Sequence, residues 1–210
     1  MKIIDISWPI SEQMTGYADR KSVRLVSLKT ISKDGSRQSM FTLDTHTGTH
    51  IDAPSHFLDA GDTVEKIPID TFIGPALVLD LTSVSESITR ADLEQYELPL
   101  GGRILLKTRN SYKQAQDRFD YGFVYLDRSA AAYLVEKKIK LIGIDYLGLE
   151  RNQPENDTHR LLLGNGISIL EGIRLQQAEA GDYTLLCLPL AVQGLEAAPA
   201  RAVLIKDFRL

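Results

Sequence analysis

The segment Leu43-Asp-Thr-His-Thr-Gly-Thr-His-Ile-Asp-Ala-Pro-Ser-His-Phe57 contains three of the four histidines of this 210-residue chain. These are His46, His50 and His56, and Asp52 stands between the second and the third. Imidazole and carboxylate groups are good ligands for Zn²⁺, and they also suit Mn²⁺, Fe²⁺ or Co²⁺. The segment is therefore a candidate metal site.

The backbone of this segment must bend if its side chains are to share a metal. In an extended strand, at about 3.3 Å per residue, His46 and His50 would lie roughly 13 Å apart, too far for ligand bonds of about 2 Å. A helix is disfavoured, because Gly48 and its threonine neighbours are poor helix formers and Pro54 cannot lie in a helix interior. We expect a bent strand or loop in which Gly48 supplies unusual backbone angles. The alternative is a solvated loop whose histidines cluster by chance.

Several other residues attract less attention when each is taken alone. His159 is typical of a surface or capping residue, and Glu171, twelve positions later, of a solvated one. Asp145 and Glu150 are weaker candidates for the substrate pocket, and each is more typical of a residue that caps a strand end or lies in solvent. Cys187 is the single cysteine, so it can form no disulfide within the chain, and its apolar neighbours predict a buried side chain.

The composition is that of an ordinary globular protein, with 43% hydrophobic residues and 24 Lys and Arg against 28 Asp and Glu. At roughly 100–200 residues per domain, the length favours one domain over residues 1–210. No Lys and Arg cluster suggests binding to nucleic acid or to an anionic membrane. No apolar run approaches the roughly 18 residues of a membrane span, and the N-terminus lacks the apolar region of a secretory signal. We therefore expect a cytoplasmic protein.

Short apolar runs of strand length recur along the chain, each bounded by Gly, Pro, Asp or Ser. They cover residues 23–28, 76–81, 103–108, 141–145, 184–188 and 202–206. A helix is predicted over residues 129–138, a shorter one after Thr89 as N-cap, and another from Asp157 or Thr158. A further helical turn is expected over residues 170–175. Strands outnumber helices without regular βαβ alternation, which predicts a mixed α/β class and argues against a doubly wound or barrel fold.

The histidine segment resembles the metal-dependent cyclase/hydrolase family that includes bacterial kynurenine formamidase (arylformamidase) and isatin hydrolase. The hallmark of that family is His-x-Gly-Thr-His-x-Asp-x-Pro-x-His, which runs here without a gap from His46 to His56. The spacing from His159 to Glu171 and the closing region at residues 188–204 also look like the family. The resemblance implies one compact α/β domain with a mixed sheet, of the swivelling β/β/α type, that assembles as homodimers or homotetramers.

The resemblance also implies a role for each site residue. His46, His50 and Asp52 match the ligands of one metal, Asp52, His159 and Glu171 match those of a second, and His56 matches the proton-transferring residue. Two divalent ions per chain are implied, with zinc expected first and manganese second. Such ions lower the pKa of bound water from about 15.7 to near 7, and an imidazole of ordinary pKa near 6.5 can both accept and donate a proton. His56 could instead be a further ligand.

The implied activity is hydrolysis, by a metal-activated water, of an amide bond in a small N-formyl aryl amine such as N-formylkynurenine. A cyclic substrate such as an isatin-like lactam, or metal binding without turnover, are the alternatives. Kynurenine formamidases typically carry a Trp-Pro-Gly-Asp-like stretch whose tryptophan packs against the substrate. This chain has Met14-Thr-Gly-Tyr-Ala-Asp19 there, so Tyr17 is the candidate substrate residue. The chain departs from the family pattern at a second position as well, Gly148, where relatives often have serine.

Overall fold

Residues 1–207 are described by a computed structural model, and they form twelve β-strands and four α-helices. The strands are β1 (Lys2–Asp5), β2 (Arg24–Lys29), β3 (Gln38–Thr42), β4 (His50–Asp52), β5 (Ile73–Asp80), β6 (Ser87–Ile88), β7 (Arg103–Lys107), β8 (Tyr125–Leu126), β9 (Leu141–Ile144), β10 (Ser168–Glu171), β11 (Gly181–Pro189) and β12 (Ala197–Lys206). The helices are α1 (Ile31–Asp34), α2 (Arg90–Leu93), α3 (Arg128–Glu136) and α4 (Asp157–Gly164). Short 3₁₀ turns cover Tyr17–Asp19, Pro54–His56, Val64–Lys66, Ile69–Thr71, Arg109–Tyr112 and Pro154–Asn156.

Eight strands form one mixed sheet in the order β1-β12-β11-β5-β7-β9-β10-β4. Strand β12 also pairs with β4 through residues 197–199, while its later part pairs with β1. This second pairing closes seven of the strands into a barrel. The prediction against a barrel was therefore wrong in this respect, because β12 has ten residues and can pair with two strands along one edge.

The sheet separates two layers of apolar side chains. Ile104 and Leu106 on β7 face a cluster that includes residues of α2, α3 and α4, whereas Leu105 between them belongs to the cluster on the other face. This alternation follows from the two-residue period of a strand. Cys187 lies in the second cluster with no exposed surface, as predicted.

All six predicted strands are present, as β2, β5, β7, β9, β11 and β12, and β12 begins five residues earlier than expected. The three predicted helices are α2, α3 and α4, and Thr89 forms a complete capping box with Asp92. The helical turn expected over residues 170–175 is wrong. Residues 168–171 form β10 instead, which is fully buried and pairs with β9 and β4.

The pairing of β4 with β10 is what positions the candidate site. These strands are antiparallel, and His50 lies directly opposite Glu171. Side chains directly opposite each other on antiparallel strands point to the same face of the sheet, so His50 and Glu171 share a face. Asp52 lies two residues after His50 on the same strand and therefore points to that face as well. Ligand types separated by more than a hundred positions in sequence are thereby brought together. In residues 1–207 no helix has both the length and the apolar character needed to cross a membrane.

Candidate metal centre

The histidine segment bends as the sequence predicts. A turn ends at Gly48, whose φ is +64°, strand β4 follows, and Pro54 begins a 3₁₀ turn that ends at His56. The bend approaches the strand end at Gly172 so closely that a Cβ atom there would collide with the carbonyl oxygen of Gly48. The Oγ1 atom of Thr49 donates a hydrogen bond of 2.6 Å to the carbonyl of Gly172, which fixes the two segments together.

The structure brings five predicted ligands into two groups. His46, His50 and Asp52 each offer one ligand atom, and these three atoms lie within 4.8 Å of one another. Asp52, His159 and Glu171 form a second group of the same kind, and all three are buried. Asp52 is common to both groups, which are the two sets that the family resemblance implies.

The two carboxylate oxygens of Asp52 face different groups. Its Oδ1 atom lies 3.0 Å from Nδ1 of His46 and 3.3 Å from Nε2 of His50. Its Oδ2 atom lies on the side of His159, 3.9 Å from Nε2 of that residue, which is itself 3.2 Å from Oε1 of Glu171. One carboxylate can therefore serve two cations, one through each oxygen.

A bound cation fits these residues. Both Asp52 oxygens and Nε2 of His50 are buried without a hydrogen-bond partner, because the short contacts between them lack hydrogen-bond geometry. Burying a carboxylate without a donor costs several kcal/mol, on the order of the penalty for an unpaired ion. One divalent cation would satisfy Oδ1 of Asp52 together with Nε2 of His50, and a second would satisfy Oδ2.

Neighbouring groups orient two of the imidazoles. Nδ1 of His50 lies 2.9 Å from the carbonyl oxygen of Gly48, and since a carbonyl can only accept, Nδ1 carries a hydrogen and Nε2 is left for a metal. Nδ1 of His159 lies 2.6 Å from Oε2 of Glu150, which also accepts from the backbone N–H of His159 at 2.8 Å. Nε2 of His159 is thereby directed at Glu171.

Two further carboxylates, Glu150 and Glu196, lie beside the ligands, and neither contact with a histidine was predicted. Glu150 was expected to cap a strand end or to lie in solvent, which is wrong, since it is 7% exposed and contacts His159. Glu196 lies 3.4 Å from Nε2 of His46, on the outer side of that ring. No spacing rule links Glu196 to a histidine 150 positions earlier. The pairing of β12 with β4 brings the two segments together, and Oγ1 of Thr45 donates a hydrogen bond of 2.6 Å to Oε1 of Glu196.

Asp145 follows β9 and is fully buried, so the expected strand-end role is correct and the expected solvent exposure is not. Its carboxylate accepts hydrogen bonds from the backbone N–H and the hydroxyl of both Thr108 and Ser111. These bonds hold the turn after β7. Asp145 therefore stabilises the loops beside the site and belongs to neither ligand group.

Charges within the cluster shift its pKa values strongly. Burial alone would lower the pKa of His50 and of His159, but the surrounding carboxylates outweigh it and raise these values to about 9 and about 10. Burial would raise the pKa of Asp52, but the imidazoles of His46 and His50 hold it well below its ordinary value. Without a metal the two buried imidazoles are protonated at neutral pH, and a cation must displace those protons.

His56 lies beside both ligand groups. Among the described residues, 1–207, it is a member of neither group. Its ring centroid is 4.2 Å from that of His46 and 6.3 Å from that of His159. Burial lowers the pKa of His56 below its ordinary value of 6.5. The ring is therefore neutral at neutral pH and can accept a proton.

A cavity of about 500 Å³ opens over the ligands. His56 and Phe57 line it near the ligands, and Tyr17 and Gly148 line it as well. Tyr17 is half-exposed and packs against Phe119, with ring centroids 4.9 Å apart. A Cβ atom on Gly148 would lie only 3.1 Å from Cε2 of Tyr17, so the two departures from the family pattern meet in space.

Comparison with known proteins agrees with the class of protein that this fold and site define, a metal-dependent hydrolase. Residues 4–151 match the family described as "Putative cyclase", and the chain belongs to this cyclase family. Kynurenine formamidase of Bacillus mycoides (strain KBAB4) is 36% identical over 203 residues, covering 96% of each chain. Cyclase-like protein 3 of Oryza sativa subsp. japonica is 35% identical, covering 98% of this chain and 80% of the relative.

Solved structures confirm the predicted fold class, a single α/β domain with a mixed sheet. A structure described as a potential metal-dependent hydrolase with cyclase activity superposes with a TM-score of 0.87 at 37% identity, covering 97% of this chain and 96% of its own. Isatin hydrolase A from Labrenzia aggregata superposes with a TM-score of 0.85 at 22% identity, covering 98% and 94%. That second likeness concerns the fold alone.

Proposed function

We propose that this enzyme hydrolyses the amide bond of a small N-formyl aryl amine such as N-formylkynurenine, using two divalent ions per chain. Zinc is the first expectation for both ions and manganese the second. The observation that carries the proposal is the carboxylate of Asp52, whose two oxygens face two separate groups of ligand atoms. The kynurenine formamidase relatives support the choice of substrate class.

The proposed ligands are those that the two groups contain. They are His46, His50 and Asp52 for one ion and Asp52, His159 and Glu171 for the other. A pair of divalent ions, when bound, supplies a water of lowered pKa and polarises a substrate carbonyl.

His56 moves the proton in this proposal. Its neutral ring accepts a proton from the attacking water and donates it to the leaving nitrogen, so that the amine departs uncharged. The lowered pKa of His56 supports the first of these steps, because it keeps the imidazole in the accepting form at neutral pH.

The ring of Tyr17 packs against the aromatic ring of the substrate in this proposal. The cavity volume of about 500 Å³ suits a single aromatic ring with a short side chain. Phe57 lines the same cavity near His56, so an aryl group would find apolar partners while its formyl group faces the ligands.

The substrate is tested by comparing turnover of N-formylkynurenine, formanilide and isatin by the metal-loaded enzyme, with and without a chelator. We expect the highest kcat/KM on an N-formyl aryl amine and loss of turnover with the chelator. A higher kcat/KM on isatin would favour a cyclic substrate. Stoichiometric metal without turnover of any of the three would favour a metal-binding protein.

The contact between Tyr17 and the substrate ring is tested by substitutions at Tyr17 and Gly148. We expect Tyr17→Ala to raise KM for the aryl substrate severalfold and Tyr17→Phe to leave it unchanged, because the ring alone makes the contact. Gly148→Ser must displace the Tyr17 ring and should raise KM without lowering the metal content. An unchanged KM in Tyr17→Ala would contradict a contact between the Tyr17 ring and the substrate.

We further propose that the enzyme acts in the cytoplasm as a homodimer or homotetramer on a free small molecule, without a nucleic-acid or membrane partner. The net charge of −4 supports the exclusion of polyanionic partners. Cell fractionation and the sedimentation behaviour of the purified chain test these points.

A further inference from the structure

The turn that follows Gly16 carries two side chains that line the cavity, Tyr17 and Arg20. The turn is tight, since the backbone N–H of Arg20 donates to the carbonyl of Tyr17 at 3.1 Å, and a Cβ atom on Gly16 would collide with the carbonyl oxygen of Arg20. Between the two side chains, Ala18 and Asp19 have φ values of +50° and +61°. Left-handed residues other than glycine are strained, and such strain is typical of functional sites.

Contacts within the chain hold this turn in place. Asp19 accepts a hydrogen bond of 2.9 Å from the backbone N–H of Phe119. The ring of Tyr17 packs against the ring of Phe119, which is buried. Just before the turn, the hydroxyl of the buried Thr15 donates to the carbonyl of Asp117 at 2.7 Å. The turn therefore keeps its shape without a ligand, and the side chains that it carries start from fixed points at the cavity.

Arg20 brings an unpaired cation to the cavity. Its side chain forms no hydrogen bond and no ion pair with any of residues 1–207. Lys21, the other Lys or Arg side chain that lines the cavity, donates to the carbonyl of Met14 at 3.3 Å. Burial raises the pKa of the Tyr17 hydroxyl, and the nearby charge of Arg20 acts against that rise. A guanidinium presents a planar fork of donors that matches a carboxylate.

The carboxylates that line the cavity leave Arg20 free. Asp44 accepts a hydrogen bond from the backbone N–H of His46, and Glu12 accepts one from the backbone N–H of Leu25. The two other carboxylates of the lining contact a histidine of the metal centre. In the described part of the chain none of the four pairs with the guanidinium, so its charge is available to a ligand.

Two amide side chains, those of Asn152 and Asn156, add hydrogen-bond donors to the cavity lining. Both residues have a φ of +54°, so a second strained segment borders the cavity. Neither amide side chain forms a hydrogen bond with any described residue. The segment approaches the turn closely at Gly148, where an added Cβ atom would lie 3.1 Å from Cε2 of Tyr17. An unpaired guanidinium and unpaired amides in one cavity favour a ligand that is anionic and accepts hydrogen bonds.

The order of the side chains along the cavity indicates which part of the substrate meets Arg20. This step rests on the proposed function, in which the formyl group faces the metal ligands and the aryl ring packs against Tyr17. Arg20 lies on the same turn as Tyr17, so a short substituent of the aryl ring can reach the guanidinium while the amide stays at the metal centre.

We propose that Arg20 binds a carboxylate on the side chain of the aryl substrate, with the amides of Asn152 and Asn156 as further donors. The preferred substrate is then an anionic N-formyl aryl amine, and an uncharged one binds more weakly.

The carboxylate contact is tested by turnover of two substrates. N-formylkynurenine carries a carboxylate on its side chain, and formanilide has none. We expect Arg20→Gln to lower the ratio of their kcat/KM values about tenfold, the equivalent of one hydrogen bond to a charged group. Arg118→Gln is the matched control, since Arg118 is exposed and lies outside the cavity, and it should keep the wild-type ratio. An unchanged ratio in Arg20→Gln would overturn the proposal.

A binding measurement needs no turnover and so separates this proposal from the proposed function. The probes are 4-phenylbutanoate, an aryl ring with a carboxylate on a short chain, and the uncharged 4-phenylbutanamide. In calorimetric titration of the metal-loaded protein we expect the carboxylate to bind about tenfold more tightly than the amide, and Arg20→Gln to remove this preference.

The outcomes of the binding measurement are distinct. If no N-formyl aryl amine is hydrolysed but the preference depends on Arg20, the amide-hydrolase proposal fails and the carboxylate site stands. A preference that survives Arg20→Gln would place the carboxylate elsewhere, such as on the metal ions, and would overturn the proposal. Equal affinities of wild type for the two probes would overturn it as well.

Discussion

Asp52 is the residue around which the candidate metal centre is arranged. It is 1% exposed and neither of its oxygens has a hydrogen-bond partner; one oxygen faces His46 and His50, and the other faces His159. In a protein interior such a carboxylate is unfavourable unless cations compensate it. Without metal, the protonated rings of His50 and His159 compensate this charge, whereas bound metal would bind the two oxygens directly, an argument that does not depend on any relative.

Glu150 should control the metal affinity of its neighbour His159. We expect Glu150→Gln to weaken metal binding about 10–100-fold, because removing the charge makes the ligand less basic and its orientation less well fixed. Glu155→Gln, an exposed neighbour in sequence, is the control and should bind as wild type does. Competition titration of the metal-free protein with a chromophoric chelator measures this directly. Equal affinity in both variants would remove Glu150 from the site.

His56 should act on the proton and not on the metal. We expect His56→Ala to lower kcat about 10²–10⁴-fold, the usual contribution of general acid–base catalysis, with little change in metal content. Single-turnover kinetics beside metal analysis separates the two effects. Full activity in His56→Ala would exclude the proton-transfer role, and loss of a metal ion would make His56 a ligand.

At the scale of the element, the close approach of Gly48 and Gly172 determines how β4 lies against β10. Gly172 has a φ of +67°, and its hydrogen faces the carbonyl of Gly48. Any side chain there would push the histidine segment away from Glu171. The same contact explains why two segments so far apart in sequence supply one set of ligands.

Gly172→Ala should therefore reduce both stability and metal content. The matched control is Gly166→Ala, since Gly166 has a φ of +72° with no atom within 4 Å of the added methyl. The left-handed backbone alone costs about 1–2 kcal/mol, and Gly172→Ala should cost more because it adds the collision. Urea denaturation of the metal-free proteins measures the difference. Equal free energies of unfolding would contradict the role of this contact.

The sequence predicted much of the local structure and less of the pairing. Gly48 and Pro54 were enough to predict the bend, because both restrict the backbone within their own segment. The strand over residues 168–171 was missed because its four residues are all buried and show no alternation. The contacts of Glu150 and Glu196 with histidines were not predicted, since they depend on tertiary structure, which no local spacing encodes.

At the scale of the whole molecule, β12 closes the barrel and thereby brings residues from distant parts of the sequence together at the site. The strand pairs with β4 beside Asp52 and brings Glu196 to the outer side of His46. Sequence patterns predicted the mixed α/β class but not this closure, because the two strands that meet, β4 and β12, lie far apart in the sequence. The ligand segments that include β4 and β10 are thus held by a closed framework of strands.

Metal uptake by the whole protein should release protons. The pKa values of His50 and His159, raised to about 9 and about 10, mean that both rings are protonated at neutral pH without metal. A cation must displace both protons, so its affinity should increase as pH rises toward those values. Calorimetric titration in buffers of different ionisation enthalpy counts the released protons, and we expect about two. An affinity independent of pH would contradict protonated imidazoles in the metal-free site.

The most direct test of a metal-dependent hydrolase is to add zinc stepwise to the metal-free protein while measuring hydrolysis of N-formylkynurenine. We expect no turnover without metal and a rate that reaches its plateau at two equivalents per chain, since Asp52 faces two ligand groups. A rate that is the same before and after the addition of metal would contradict metal dependence. A plateau at one equivalent would contradict the shared role of Asp52.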